Sequence, residues 1–173
     1  MKAHGYVIGK AGASSPDFAL SLSSGFMATI AITMVMYLLP AVGLPQVDLP
    51  LWIARLFVDG PASVGALGVV IHLATGLVFA WIYSQHVEPR LILGPATSGL
   101  LFGGAMWVFV QGLAVPVLGS IGSALGGTGA GPGLFSAGLG AAAAAASLVA
   151  HLAYGGVLGY VYGCRGGGRC RKA

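Results

Sequence analysis

Four stretches of this 173-residue chain, 20–44, 64–84, 93–115 and 137–162, each run for more than twenty residues without one Asp, Glu, Lys or Arg. As helices, all four are long enough to cross the ~30 Å hydrocarbon core of a bilayer. Lipid offers no hydrogen bonds to open backbone, so a crossing segment must satisfy its own N–H and C=O groups, which selects helices over strands. Charged residues are only 7% of the chain and its mean hydropathy is +0.90, whereas a soluble globule needs about 25% charge to face water. The expected fold is therefore an all-α polytopic membrane protein. Its four-helix domain spans 20–163, between an N-terminal tail (1–19) and a basic C-terminal tail (164–173). Reading the first span as a cleaved signal, with Ala41-Val42-Gly43 as the small-residue site, fits poorly with the long segment that precedes it and with its length.

The second and fourth spans contain a repeat. His72-Leu-Ala-Thr-Gly76-Leu-Val-Phe-Ala-Trp81-Ile-Tyr83 returns 79 residues later as His151-Leu-Ala-Tyr-Gly155-Gly-Val-Leu-Gly-Tyr160-Val-Tyr162, with six of twelve positions identical. A fainter match joins Ser24-Gly25 to Ser98-Gly99, and Pro40 roughly answers Pro116. The chain thus reads as two tandem hairpins related by a pseudo-twofold axis along the membrane normal. The inverted repeats common in alternating-access transporters are a different pattern.

Orientation follows from basic residues. Lys2, Lys10, Arg90, Arg165, Arg169, Arg171 and Lys172 fall on one side of this topology, and Arg55 alone on the other. The positive-inside rule puts both termini in the cytoplasm of a bacterial inner membrane. Trp81, Tyr83, Tyr160 and Tyr162 are then expected at the cytoplasmic interface. The net charge of +4 is mostly this bias, so no nucleic-acid partner is expected.

The connection 45–63 holds Leu51-Trp-Ile-Ala-Arg-Leu-Phe-Val-Asp59 and reads as a short interfacial piece anchored by Trp52. The connection 116–138, with Gly126-Gly127-Thr128-Gly129-Ala130-Gly131-Pro132-Gly133, reads as a flexible or partly re-entrant outer loop. A phosphate cradle would need a preceding strand and a following Lys-Ser/Thr pair. Cys164 and Cys170 are expected to be reduced thiols in the cytoplasmic tail. Their spacing is not that of a zinc knuckle, and no metal site is expected.

Small residues recur every fourth position: Gly68, Gly76 and Ala80 around His72, and Ser147, Gly155, Gly159 and Gly163 around His151. Such spacing lets helix backbones approach closely in lipid, where packing rather than the hydrophobic effect drives association. Both histidines therefore belong on packing seams in the bundle interior, at similar depth. An imidazole unpaired in hydrocarbon costs several kcal/mol, and three fates are open for the pair. One is interhelical hydrogen bonding, to each other, to Thr33, Tyr37 or Ser98, or to a carbonyl freed near glycine. The second is a proton- or ligand-linked site. The third is axial ligation of haem b. Packing is the favoured reading, so no cofactor is expected and loss of either ring should leave an unpaired partner. Rings capped by hydroxyl or carbonyl would indicate packing, and a void between them a bound group. No carboxylate lies in any span, and no catalytic constellation can be assembled.

Gly43-Leu44-Pro45, His72 with Gly76, Gly99-Leu-Leu-Phe-Gly103 and His151-Leu-Ala-Tyr-Gly155-Gly-Val-Leu-Gly159-Tyr-Val-Tyr-Gly163 resemble a family of small bacterial four-helix membrane proteins of uncharacterised function. The resemblance covers 25–163 and implies the four-helix architecture without implying an activity. The expected function is non-enzymatic: an accessory or assembly subunit of a larger membrane complex, for example a respiratory one. Its partners would be the lipid bilayer and other membrane subunits or further copies of the chain. The alternative is a small-molecule or cofactor protein using the His72–His151 pair, as a b-type haem carrier or a proton-linked permease.

Overall fold

The computed structural model describes residues 17–124 and 131–166. Its helices are α1 (Phe18–Leu38), α2 (Leu49–Ala54), α3 (Pro61–Ile82), α4 (Pro95–Phe109), α5 (Val115–Ala124) and α6 (Ala141–Gly166). Asp17 caps α1 by accepting from the Leu20 amide. Proline opens α3 and α4, where its missing N–H leaves no intrahelical bond unmade. Gly43, at φ 82°, ends the first helical segment in the left-handed conformation that glycine reaches without a Cβ penalty.

Four continuous helical segments are long and apolar enough to cross a membrane: Phe18–Val42, Pro61–Val87, Pro95–Ala124 and Ala141–Arg165, of 25, 27, 30 and 25 residues. At 1.5 Å per residue even the shortest reaches about 37 Å. The outer surface carries Phe26, Ile30, Met34, Val69, Val78, Leu101 and Val117, while Ser21, Ser24, Thr29, Ser84, Ser98, Gln111 and His151 are buried. Polar groups inside and large apolar groups outside invert the arrangement of a water-soluble protein. The chain is a multi-pass, all-α membrane protein.

Each hairpin closes on a ladder of small residues. On α1, Ser21, Gly25, Thr29 and Thr33 meet Ser84, Ala80, Gly76 and His72 of the antiparallel second segment. On α4, Pro95, Gly99 and Gly103 meet Gly163, Gly159 and Gly155, and Trp107 meets Ser147. The partners on the second and fourth segments stand 79 positions apart, and those on the first and third stand 74 apart. Only the last pair is displaced by a turn. Gly68 faces a different neighbour, Leu51 of α2.

Between hairpins the symmetry fails. α1 packs along α6 through a cluster that includes Ala28, Ile32, Ala150, Tyr154 and Leu158. The equivalent pair, α3 and α4, stands apart and is bridged by aromatic side chains. Phe79 meets Phe102 and Phe109 edge-on at 6.4 and 6.3 Å between centroids, and Tyr83 lies 5.2 Å from Phe102.

Three expectations need correction. Trp81 and Tyr160 are exposed (43% and 60%), but Tyr83 and Tyr162 are core residues (0% and 6%) that meet edge-on at 6.2 Å. Positions two apart on a helix are rotated by about 200°, so one member of each aromatic pair must turn inward. The third span continues past Val115 to Ala124 because the helix widens into a π turn at Val110–Ala114. The regular i→i−4 ladder is thus already interrupted where Pro116 would have broken it. Trp52 packs over Gly119 and Gly131. Cys164 is disulfide-bonded rather than reduced. The other cysteine of the sequence, Cys170, lies outside the described residues. The reduced state was inferred from the compartment alone.

The connection expected as a loop at 116–138 is helical as far as Ala124, and residues 125–130, with most of the glycine run, lie outside the described residues. The following turn, Leu134–Leu139, folds back onto α4. Phe135 stacks on Trp107 at 4.7 Å, and Ser136 donates to Gln111 Oε1 at 2.8 Å. Phe135 and Ser136 both have positive φ, 53° and 58°, a conformation that side-chain-bearing residues hold only when their surroundings impose it.

Candidate intramembrane binding site

The gap between α3 and α4 encloses a cavity of about 300 Å³. Its walls are mostly apolar, from Ile32, Met36, Ile71, Phe79, Met106, Phe109, Val110 and Ala150, with Leu49, Pro50 and Ile53 of the α2 region closing one end. His72 and His151 both line it, joined by Gln111, Thr29, Thr75, Ser147 and Tyr154. The two histidines thus border one space within the bundle. Each ring is also capped, and the cavity lies alongside both, so both of the opposed structural signatures are present.

The caps fix the ring tautomers. His151 Nδ1 lies 2.7 Å from the Ser147 carbonyl, which can only accept, so Nδ1 carries the hydrogen and Nε2 keeps a lone pair. Thr33 spends its hydroxyl hydrogen on the Thr29 carbonyl at 2.7 Å, so its oxygen accepts from His72 Nε2 at 2.9 Å, leaving Nδ1 as the bare nitrogen. The histidines differ because Thr33 corresponds in the repeat to Trp107, which donates to Ser147 Oγ instead. With no hydroxyl opposite it on α4, His151 turns back along its own helix.

These partners do not depend on the histidines, which corrects the expectation of an unpaired group on their removal. Thr33 keeps its bond to Thr29, and Ser147 O sits in a regular helix whose His151 amide it accepts. The other hydroxyls lining the cavity are also satisfied: Thr29 bonds the Gly25 carbonyl, Thr75 the Ile71 carbonyl, Ser147 the Ala144 carbonyl and Tyr154 the Gly76 carbonyl. One lining group is left without a bond. Gln111 is fully buried, and its Nε2 has no partner among the described residues. A buried amide N–H without a partner costs about 1–3 kcal/mol.

Gln111, Tyr154 and Asp48 were not singled out from the sequence. Gln111 is the only carboxamide in the four uncharged stretches, which was the available signal. Asp48 caps α2 by accepting from the Leu51 amide, accepts from Tyr37 Oη at 3.1 Å, and shares a smaller groove with His72. A connection residue therefore reaches the intramembrane histidine. The seam residues divide between contacts: Gly76 and Ala80 against α1, Ser147, Gly155, Gly159 and Gly163 against α4, and Gly68 against α2.

A haem held by both rings does not fit this arrangement, because His72 Nε2 is engaged by Thr33. Among the described residues no three of His, Cys, Asp or Glu gather to hold a metal ion. No family model, curated protein or solved structure matches this chain.

Proposed function

We propose that this is a membrane-embedded binding protein whose interior takes up a small apolar molecule directly from the bilayer. One observation carries the reading: a cavity of about 300 Å³ lined by both histidines, whose walls on α3 and α4 include residues exposed on the outer face of the bundle. Two of its lining residues, Thr75 and Phe109, are exposed on that face, which in a membrane meets acyl chains rather than water. A volume near 300 Å³ lies at the lower end of small-molecule pockets, which are mostly apolar with a few placed polar groups.

The repeat explains why the opening exists. Tyr154 reaches across the bundle to the Gly76 carbonyl and fills the α6 side. Its counterpart on α3 is Thr75, too short to make the reciprocal bond, so the α3 side stays open. Thr75→Tyr should therefore plug the cavity from a surface position without disturbing the seams. The expected result is that organic extraction of the purified protein yields a small molecule in near-stoichiometric amount from the wild type and little from Thr75→Tyr. Equal recovery from both would overturn the reading.

An accessory or assembly role in a larger inner-membrane complex, with both termini cytoplasmic, rests on the small apolar chain and the basic-residue count. Co-purification of other membrane subunits without a bound small molecule would favour that role. The resemblance to small four-helix bacterial membrane proteins is compatible with either.

A further inference from the structure

We infer that the cavity selects a neutral aromatic alcohol, of the phenol or hydroquinone type, held between Gln111 and His151. This rests on the reading of the cavity as a lipid-accessible binding site and adds the chemistry of its occupant.

The polar groups with spare capacity define that chemistry. Gln111 Nε2 offers a donor with no partner, and His151 Nε2 and His72 Nδ1 offer acceptors. No carboxylate and no Lys or Arg lines the cavity, so an ionised occupant would sit there uncompensated at high cost. The occupant must be neutral, must give a hydrogen to an imidazole and must accept one from an amide. A hydroxyl does both, and it would also satisfy Gln111 with its amide turned the other way. A quinone or ketone can only accept and would leave the imidazole lone pairs unmet. Phe79, Phe109 and Tyr154 in the walls suit an aromatic ring.

The spacing suits a single ring. Gly103 packs against the His151 backbone, which puts that residue level with His151, and Gln111 lies eight residues further along α4. That offset is about 12 Å at 1.5 Å per residue. Because α4 and α6 are antiparallel and side chains lean toward their own helix N-terminus, Gln111 and His151 lean toward each other and shorten it. A hydrogen bond at each end, of roughly 2.8 Å, leaves room for a six-membered ring with oxygens at opposite positions.

The test uses the full-length protein in lipid nanodiscs with three probes of matched size: a short-chain alkylhydroquinone, the corresponding alkylquinone and the corresponding alkylbenzene. Affinities are measured by calorimetry for the wild type, Thr75→Tyr, Gln111→Met and His151→Leu. We expect the hydroquinone to bind about tenfold more tightly than the other two, a margin of one or two neutral hydrogen bonds. Gln111→Met and His151→Leu should each erase most of that margin while alkylbenzene binding stays unchanged, and Thr75→Tyr should abolish binding of all three. Equal binding of the three probes, lost in Thr75→Tyr, would overturn the aromatic-alcohol inference and keep the cavity reading. If Thr75→Tyr changes nothing, or no probe binds, both fail. Should Gln111→Met not fold, Ser136→Ala, which removes only the partner of Oε1, must retain hydroquinone selectivity for the inference to stand.

Discussion

His72 and His151 invite the view that an intramembrane imidazole is there to tie helices together. Their hydrogen-bond partners weaken that view, because Thr33 and Ser147 each keep another bond when the ring is removed. Both rings also border an existing void, so truncation enlarges a cavity rather than creating one. His72→Ala and His151→Ala should therefore cost about 1 kcal/mol or less, near the value of one interhelical hydrogen bond in lipid. Detergent unfolding curves would measure this. A loss of several kcal/mol from either would make the histidines structural members after all. At this scale the sequence was readable where chemistry is rare: both imidazoles stand out against apolar runs. Gln111 carries no charge and passed unnoticed, although its Nε2 lacks a partner among the described residues. Tyr154 was unreadable, since its role lies in its difference from Thr75, which matters only once α3 and α4 are seen to stand apart.

The helices owe their approach to the seams, and the seams differ in tolerance from one glycine to the next. A side chain at Gly155 would run into the backbone of Gly99 and Gly103, and one at Gly99 into the backbone of Gly155 and Gly159. Backbone cannot rotate aside as a side-chain tip can, so both helices would have to separate. At Gly65 of α3 nothing lies within 4 Å of where a Cβ would stand. Gly155→Ala should destabilise the bundle by about 1–3 kcal/mol, as overpacking does. Gly65→Ala should leave stability unchanged or raise it by up to about 1 kcal/mol, because alanine favours helix over glycine. Thermal unfolding of the two variants in one detergent compares them directly, and similar losses would mean that the four-residue pattern is not the packing determinant. The pattern itself was legible because period-four small residues have one main use in lipid. The π turn at Val110–Ala114 was not, because nothing in Val-Gln-Gly-Leu-Ala marks a widened turn. Pro116 therefore read as the end of a span that in fact continues.

At the scale of the molecule, the two hairpins close through corresponding seam positions, and they meet through α1 and α6 while α3 and α4 stand apart. The sequence showed the duplication and could not show the opening, which depends on how the hairpins meet. Orientation joins this asymmetry to the remaining unreconciled feature, the disulfide at Cys164. On the topology expected from the sequence, seven of the eight basic residues fall on the side of both termini, which argues for a cytoplasmic tail. The cytoplasm keeps thiols reduced, whereas a bond at Cys164 would persist in an oxidising compartment. Thiols trapped by alkylation in intact cells before lysis test this directly: Cys164 should resist alkylation, because its sulfur is held in the disulfide. A reporter fused at Glu88 should then read cytoplasmic and one at Pro61 external. An alkylated Cys164 would overturn the disulfide, and reversed reporters would put the termini outside and show that the basic residues do not set this protein's orientation.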